Sequence, residues 1–282
     1  MTAAITPAYA APLRILGIDF SSAPTKRKSI TVAHGELHLG RLALQRLEAL
    51  PSLAAFEALL QRPGPWLGAF DLPFGLPREL VETLDWPRDW AALMRHYAAL
   101  SRPEIRDTFA AFCAARPVGG KFAQRACDGP AGSSPSMKWV NPPVAFMLHA
   151  GVPRLVAAGL HLPGLHDGDT QRVAVEAYPG LLARELIGRR SYKSDDRAKQ
   201  TPDRLIARKD LVDALEQGRS RLSLRLRLTH AQRDALVADA MGDRLDALLC
   251  LVQGAWAAGQ PNHGMPANVD PLEGWIATAP IG

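Results

Sequence analysis

The sequence predicts an α/β protein: a mixed sheet of three antiparallel strands followed by parallel strands, flanked by helices and carrying a helical and loop insertion. Three observations predict it. Apolar runs of strand length end in a carboxylate at Asp19 and again at Asp71. Between them lie two further strand-like stretches and one helical stretch. This strand–strand–strand–helix–strand order makes the first three strands a meander and returns the fourth parallel to the first. Beyond a region rich in Trp, Pro and Gly, a strand-then-helix pattern resumes at residues 172–188. The chain has 282 residues, 47% hydrophobic and 22% charged, which supplies enough apolar side chain for a core and excludes overall disorder.

The elements follow in order. Residues 1–12 hold no basic residue and no apolar block, so they read as a flexible tail and not a signal segment. RILGIDF (14–20) is a strand. Ser21, Ser22, Pro24 and the trio Lys26-Arg27-Lys28 form a turn, either solvated or facing phosphate. Residues 29–47 read as two strands around a His34-Gly35 turn. Ser52 caps a helix over 53–62, which Pro63-Gly64-Pro65 ends. WLGAFDLPFGLP (66–77) is the strand ending in Asp71. The insertion, about 78–170, has helical spacing over 79–97 and 104–114 and a long loop over 119–143. It is expected to cover the sheet edge or to lid a site. Within that loop, Arg125, Cys127 and Asp128 read as structural or as part of a lid. RVAVEAYP (172–179) is a strand, 181–188 a helix, 189–204 a charged loop and 205–217 a helix. Residues 231–259 are helical over most of their length. One domain over 13–259 with a Pro- and Gly-rich tail at 260–282 is the expected organisation.

Composition narrows the partners. No apolar run reaches the roughly 18 residues of a membrane helix. Cys113, Cys127 and Cys250 are odd in number and widely spaced, which argues against a disulfide framework or a zinc site and makes the cytoplasm the expected location. The net charge of +5 permits an anionic partner. The oligomeric state is not readable.

Four places put an acid at the end or edge of a core element: Asp19, Asp71, Glu176 and the pair Asp243/Asp246. Asp243 and Asp246 are three apart and share a helix face, and Gly242 before them would let that helix approach the sheet closely. Strand ends in open α/β sheets are where ligands sit. Converging carboxylates are costly to bury unpaired and repel one another, and a divalent cation relieves both costs. Each acid alone also fits a structural role: Asp19 or Asp71 shaping a turn, Glu176 paired with Arg184, Asp243 and Asp246 solvated beside Arg244. Asp239, a turn earlier, reads as structural.

With these residues in view, the chain resembles the RNase H-like superfamily. More closely it resembles an uncharacterised family of predicted nucleases of that type (domain-of-unknown-function family four-twenty-nine). The matching stretches are LGIDFSSA (16–23), AFDLPFGLP (69–77), VEAYPGLLAREL (175–186), YKSDDR (192–197) with the later ARKDLVDAL, and GDRLDALLCLVQG (242–254). The resemblance implies metal-binding acids at Asp19, Asp71 and Asp246, with Asp243 as the fourth. It also implies a site role for Glu176 in the acid-x-Tyr-Pro motif, and for Lys193 facing phosphate. Arg197 and Arg208, in the same stretches, join Lys193 as substrate-binding candidates. The function implied is a phosphodiesterase or nuclease using Mg²⁺ or Mn²⁺, with two ions as the expectation, acting on nucleic acid or a nucleotide phosphodiester. Two other readings stand beside it. One is a non-catalytic metal- or nucleic-acid-binding protein. The other is an actin-like or sugar-kinase-type phosphotransferase, disfavoured because Ser21-Ser22-Ala23-Pro24 lacks the glycines that cradle phosphate.

Overall fold

The computed structural model describes residues 11–281; nearly all of the expected N-terminal tail lies outside the described residues. A seven-stranded mixed sheet has the order β5-β6-β4-β1-β2-β3-β7. Strands β1 (Leu13–Asp19), β2 (Ile30–His38) and β3 (Arg41–Leu50) form the antiparallel meander. Helix α1 (Leu53–Leu60), capped by the Ser52 side chain, returns the chain to β4 (Trp66–Phe70), parallel to β1. Strand β6 (Asp169–Glu176) continues parallel to β4. The mixed α/β sheet expected from the strand order is present.

Several boundaries differ from expectation, each for a local reason. The β2–β3 turn is at Leu39–Gly40, not His34-Gly35. Both turn residues have positive φ (48° and 73°) and join the pair His38–Arg41 in a two-residue hairpin. His34-Gly35 lies inside β2 opposite a bulge at Gln45 of β3, and a Cβ on Gly35 would lie 2.9 Å from Leu251. The helix expected over 79–97 divides into α2 (Arg78–Thr83) and α3 (Trp90–Ala99). Asp85 has φ +51° and Pro87 cannot continue a helix, and Asp89 restarts one by accepting from Ala92 N at 2.8 Å. Helix α4 spans Arg102–Ala114, and the long loop contains one short turn, α5 (Asp128–Ala131). Helix α6 (Val144–Ala157) and strand β5 (Leu160–His161) are additional to the expected elements, as is the edge strand β7 (Arg225–Arg227). After α7 (Pro179–Ile187) and α8 (Pro202–Gln217), the last helical stretch divides into α9 (His230–Ala238) and α10 (Asp243–Ala258) at Gly242, whose φ is +81°.

The sheet carries a core on each face. On one face Leu16, Ile18, Val32 and Phe70 pack against α1 and against insertion residues such as Leu80, Leu93, Tyr97, Phe109 and Leu148. The insertion therefore builds one whole layer, beyond the edge cover or lid expected of it. On the other face Leu13, Ile15, Leu67 and Val175 pack against α7, α8 and α10. Helix α10 lies almost backbone to backbone on β1: a Cβ on Gly17 would sit 2.1 Å from the Ala247 carbonyl oxygen and 2.2 Å from Leu251 N. Gly254 meets Ala69 in the same way. The close approach expected of Gly242 thus falls to Gly17 and Gly254. Gly242 is at the N-terminal end of α10, and its missing side chain makes room for Lys193.

The tail is irregular, as expected, but deeply packed. Leu272 and residues 275–279 are buried, and Ala277 N donates to the Glu176 carbonyl at 2.9 Å. Among the described residues no helix is long and apolar enough to cross a membrane.

Candidate active site

The strand pleat sorts the four acidic positions. Ile18, Phe70 and Glu176 are in register across three parallel strands and share one face. Asp19 and Asp71 come one residue later on neighbouring strands, so they turn to the opposite face, the α10 side. The Asp71 N–H donates to the Ile18 carbonyl at 2.9 Å, which fixes the two ends side by side. The first turn of α10 supplies Asp243 and Asp246, where the exposed N–H groups of a helix start favour negative charge.

Neither the Asp19 nor the Asp71 carboxylate has a hydrogen-bond or ion-pair partner among the described residues. Burial, with Asp246, Asp71 and Asp243 nearby, holds the Asp19 carboxyl well above the usual carboxylate range. Burial, helped by Asp246, pushes Asp71 up to about 7. Asp246 is fully engaged: Tyr192 Oη donates to one oxygen and Lys193 Nζ to the other. Burial pulls the Lys193 ammonium down, but Asp246, Asp19 and Asp71 outweigh it and hold it above the ordinary lysine value. Asp243 accepts from Lys28 Nζ at 2.7 Å, so that lysine of the first turn has a carboxylate partner; Lys28 opposes the burial that raises Asp243. Arg244, considered as a partner for these acids, bonds elsewhere: its guanidinium donates to the Ala235 carbonyl at 3.3 Å, and its backbone N–H donates to the Asp239 carboxylate at 2.9 Å.

Glu176 belongs to a different constellation. Its carboxylate accepts from both terminal nitrogens of Arg125 (2.6 and 2.7 Å) and from Phe74 N at 2.9 Å. Arg125 also bonds Asp128 at 2.9 Å and the Glu273 carbonyl at 3.0 Å. All three charged side chains are buried. Burial pushes the Glu176 carboxyl up and the guanidinium opposes it. The Glu176 oxygens are occupied within the protein, so the carboxylate ties the 119–143 loop to the sheet, and it also lines the cleft beside Asp71. Its partner is Arg125, not Arg184, which lies over the Tyr178 ring and bonds the Ala131 carbonyl. Burial pushes the neighbouring Cys127 thiol up to about 12, far from a thiolate nucleophile.

Two further candidates, Arg208 and Arg197, are not among the residues that line the cleft. Arg208 is buried and donates to the carbonyls of Tyr192 (2.9 Å) and Val237 (2.7 Å), so it shapes the loop that presents Lys193. Arg197 is exposed in a single helical turn at 197–199, away from the cleft wall. The cations that do line the cleft with Lys193 are Arg125, Arg184, Arg189 and Arg190, in a cleft of about 610 Å³ that Asp71 also lines. The basic run 189–199 was the sequence signal for two of them.

Among the described residues no group of three or more His, Cys, Asp or Glu side chains is set at metal-ligand distances. Asp246 and Asp243 are instead paired with Lys193 and Lys28. The donor chemistry nonetheless fits a hard divalent cation: every candidate ligand is an oxygen, and two carboxylates lack a partner. The ammonium groups of Lys28 and Lys193 are paired with Asp243 and Asp246, which leaves Asp19 and Asp71 as the carboxyls without a cation.

Fold and site together define an α/β protein with an open carboxylate cluster at the ends of parallel strands. A scan against known protein families finds no match. Searches of curated proteins and of solved structures also find none.

Proposed function

We propose that the protein is a divalent-metal-dependent phosphodiesterase acting on nucleic acid or nucleotides. The observation that carries this reading is the pair Asp19 and Asp71, side by side on adjacent parallel strands and without partners, opposite Asp246 on α10. Asp19, Asp71 and Asp246 would hold Mg²⁺ or Mn²⁺, with Asp243 beside them. A bound ion of this kind polarises a phosphoryl oxygen and acidifies a water.

The chain's own groups divide the remaining work. Lys193, half-exposed at the cleft, is released from Asp246 and neutralises phosphate charge. Tyr192 keeps its bond to the other Asp246 oxygen and fixes that carboxylate's orientation. Arg204 and Arg208, bonded to the Lys193 and Tyr192 carbonyls, hold the loop in register.

The test is calorimetric titration with Mn²⁺ of the wild type, Asp19→Asn and Asp71→Asn. The expected result is binding in the wild type, weakened at least tenfold in each variant, the order of losing one charged ligand. Equal affinity in all three proteins rules out a shared carboxylate site and the reading with it.

A further inference from the structure

The cleft that Asp71 lines has two chemically different walls. One, from α7 and the segment after it, carries Arg184, Arg189, Arg190 and Lys193. The other comes from the insertion: Pro142, Val144, Met147, Ser133 and Ser134, with Arg125, whose charge is taken up by Glu176 and Asp128. The acids lining the cleft are Asp71 and Glu176, and Glu176 is neutralised by Arg125. Away from Asp71, therefore, the cleft is cationic on one side and apolar on the other. Arg189 has no hydrogen-bond or ion-pair partner among the described residues, and Arg190 shares an exposed pair with Asp210 at 2.6 Å.

Such a cleft matches an unpaired nucleotide, which is anionic along its phosphate and flat and apolar across its base. It does not match a duplex, whose bases face inward and which offers a protein phosphates and groove edges. The volume points the same way. At about 610 Å³ the space lies within the range of enclosed small-molecule sites and admits about one or two nucleotides. Single strands are commonly bound in this manner, by a basic track with a surface for the base.

We propose that this cleft receives the unpaired end of a nucleic-acid strand, with phosphates along Arg184, Arg189 and Arg190 toward Lys193, and bases against Val144 and Met147. The proposal rests on the phosphodiesterase reading and narrows its substrate class.

The test is fluorescence anisotropy in Ca²⁺ with labelled oligothymidylate and the same strand in duplex form. The single strand is expected to bind about tenfold tighter or more. Replacing Arg189→Ala and Arg190→Ala together is expected to weaken it about tenfold and to lower the salt dependence by about two counterions. Val144→Trp fills the cleft mouth without changing charge. It is expected to weaken single-strand binding and leave the salt dependence unchanged. Thermal melting checks that the variants fold, and the strand-versus-duplex comparison needs no variant. Duplex binding as tight as the single strand, or unchanged binding after Val144→Trp, overturns the proposal. If that occurs while Mn²⁺ binding still depends on Asp19, the phosphodiesterase reading stands and the substrate class is wrong. Absence of both strand binding and Mn²⁺ binding removes both.

Discussion

Two acidic clusters lie on opposite faces of the same strand ends, and they are built in opposite ways. On the insertion side, Glu176 and Asp128 are closed around Arg125, with backbone N–H and carbonyl groups completing the bonding. On the α10 side, Asp19 and Asp71 have no partner, and Asp246 and Asp243 are held by lysines on separate loops. A buried carboxylate that serves the fold is given a fixed guanidinium. Asp19 and Asp71 have no such partner among the described residues, and the proposed function assigns them to a ligand from outside the chain. The pleat makes the division: one residue along a strand separates Glu176's face from that of Asp71.

The largest expected effect breaks the closed cluster. Arg125→Met should destabilise the protein by about 3–5 kcal/mol, because two buried carboxylates lose their cation. Urea unfolding measures it, and a loss below about 1 kcal/mol would show the cluster to be solvated. A middle effect belongs to the open cluster. Saturating Mn²⁺ at about a hundred times its dissociation constant should add about 2.7 kcal/mol to wild-type stability, and much less to Asp19→Asn. The same unfolding curves with and without the ion decide it.

The smallest effect has a characteristic sign. Asp71 titrates near 7 in the folded protein and near its ordinary value when unfolded. Between those values the folded state binds more protons. This contribution to stability is thus full at low pH and lost as pH rises through about 7. Asp71→Asn should therefore stabilise the metal-free protein at pH 8, by about 1–2 kcal/mol after allowing for solvent access, and by nothing near pH 4. Destabilisation at pH 8 would mean that Asp71 has a partner in solution.

Much of this architecture was legible because it follows from order along the chain. Three strands, one helix and a returning strand leave few topologies, and they place Asp19 and Asp71 at neighbouring ends. The facing of Glu176 was not legible because β6 is covered on both faces where it matters. Val173, Ala174 and Val175 give no alternation from which to judge which way the next residue points. Its partner Arg125 is 51 residues away in a loop without regular spacing. Arg208 looked like a phosphate ligand because charge alone does not reveal that a guanidinium is spent on two carbonyls. The hairpin turn was misplaced because His34-Gly35 has turn-like composition, yet its glycine serves the packing of Leu251.

The contact of α10 with β1 at Gly17 bears on ion size. With no side chain between the two backbones, nothing compressible separates the element carrying Asp246 from the one carrying Asp19. The two carboxylates are mounted like the jaws of a locked caliper, while Asp71 rides on the next strand. Ca²⁺ needs oxygens at 2.3–2.6 Å and tolerates loose shells, whereas Mg²⁺ demands 2.0–2.1 Å in a near-octahedral arrangement. Under the proposed metal-dependent function, a gauge of fixed opening would select among cations by radius more sharply than ligands on loops that can spread or close.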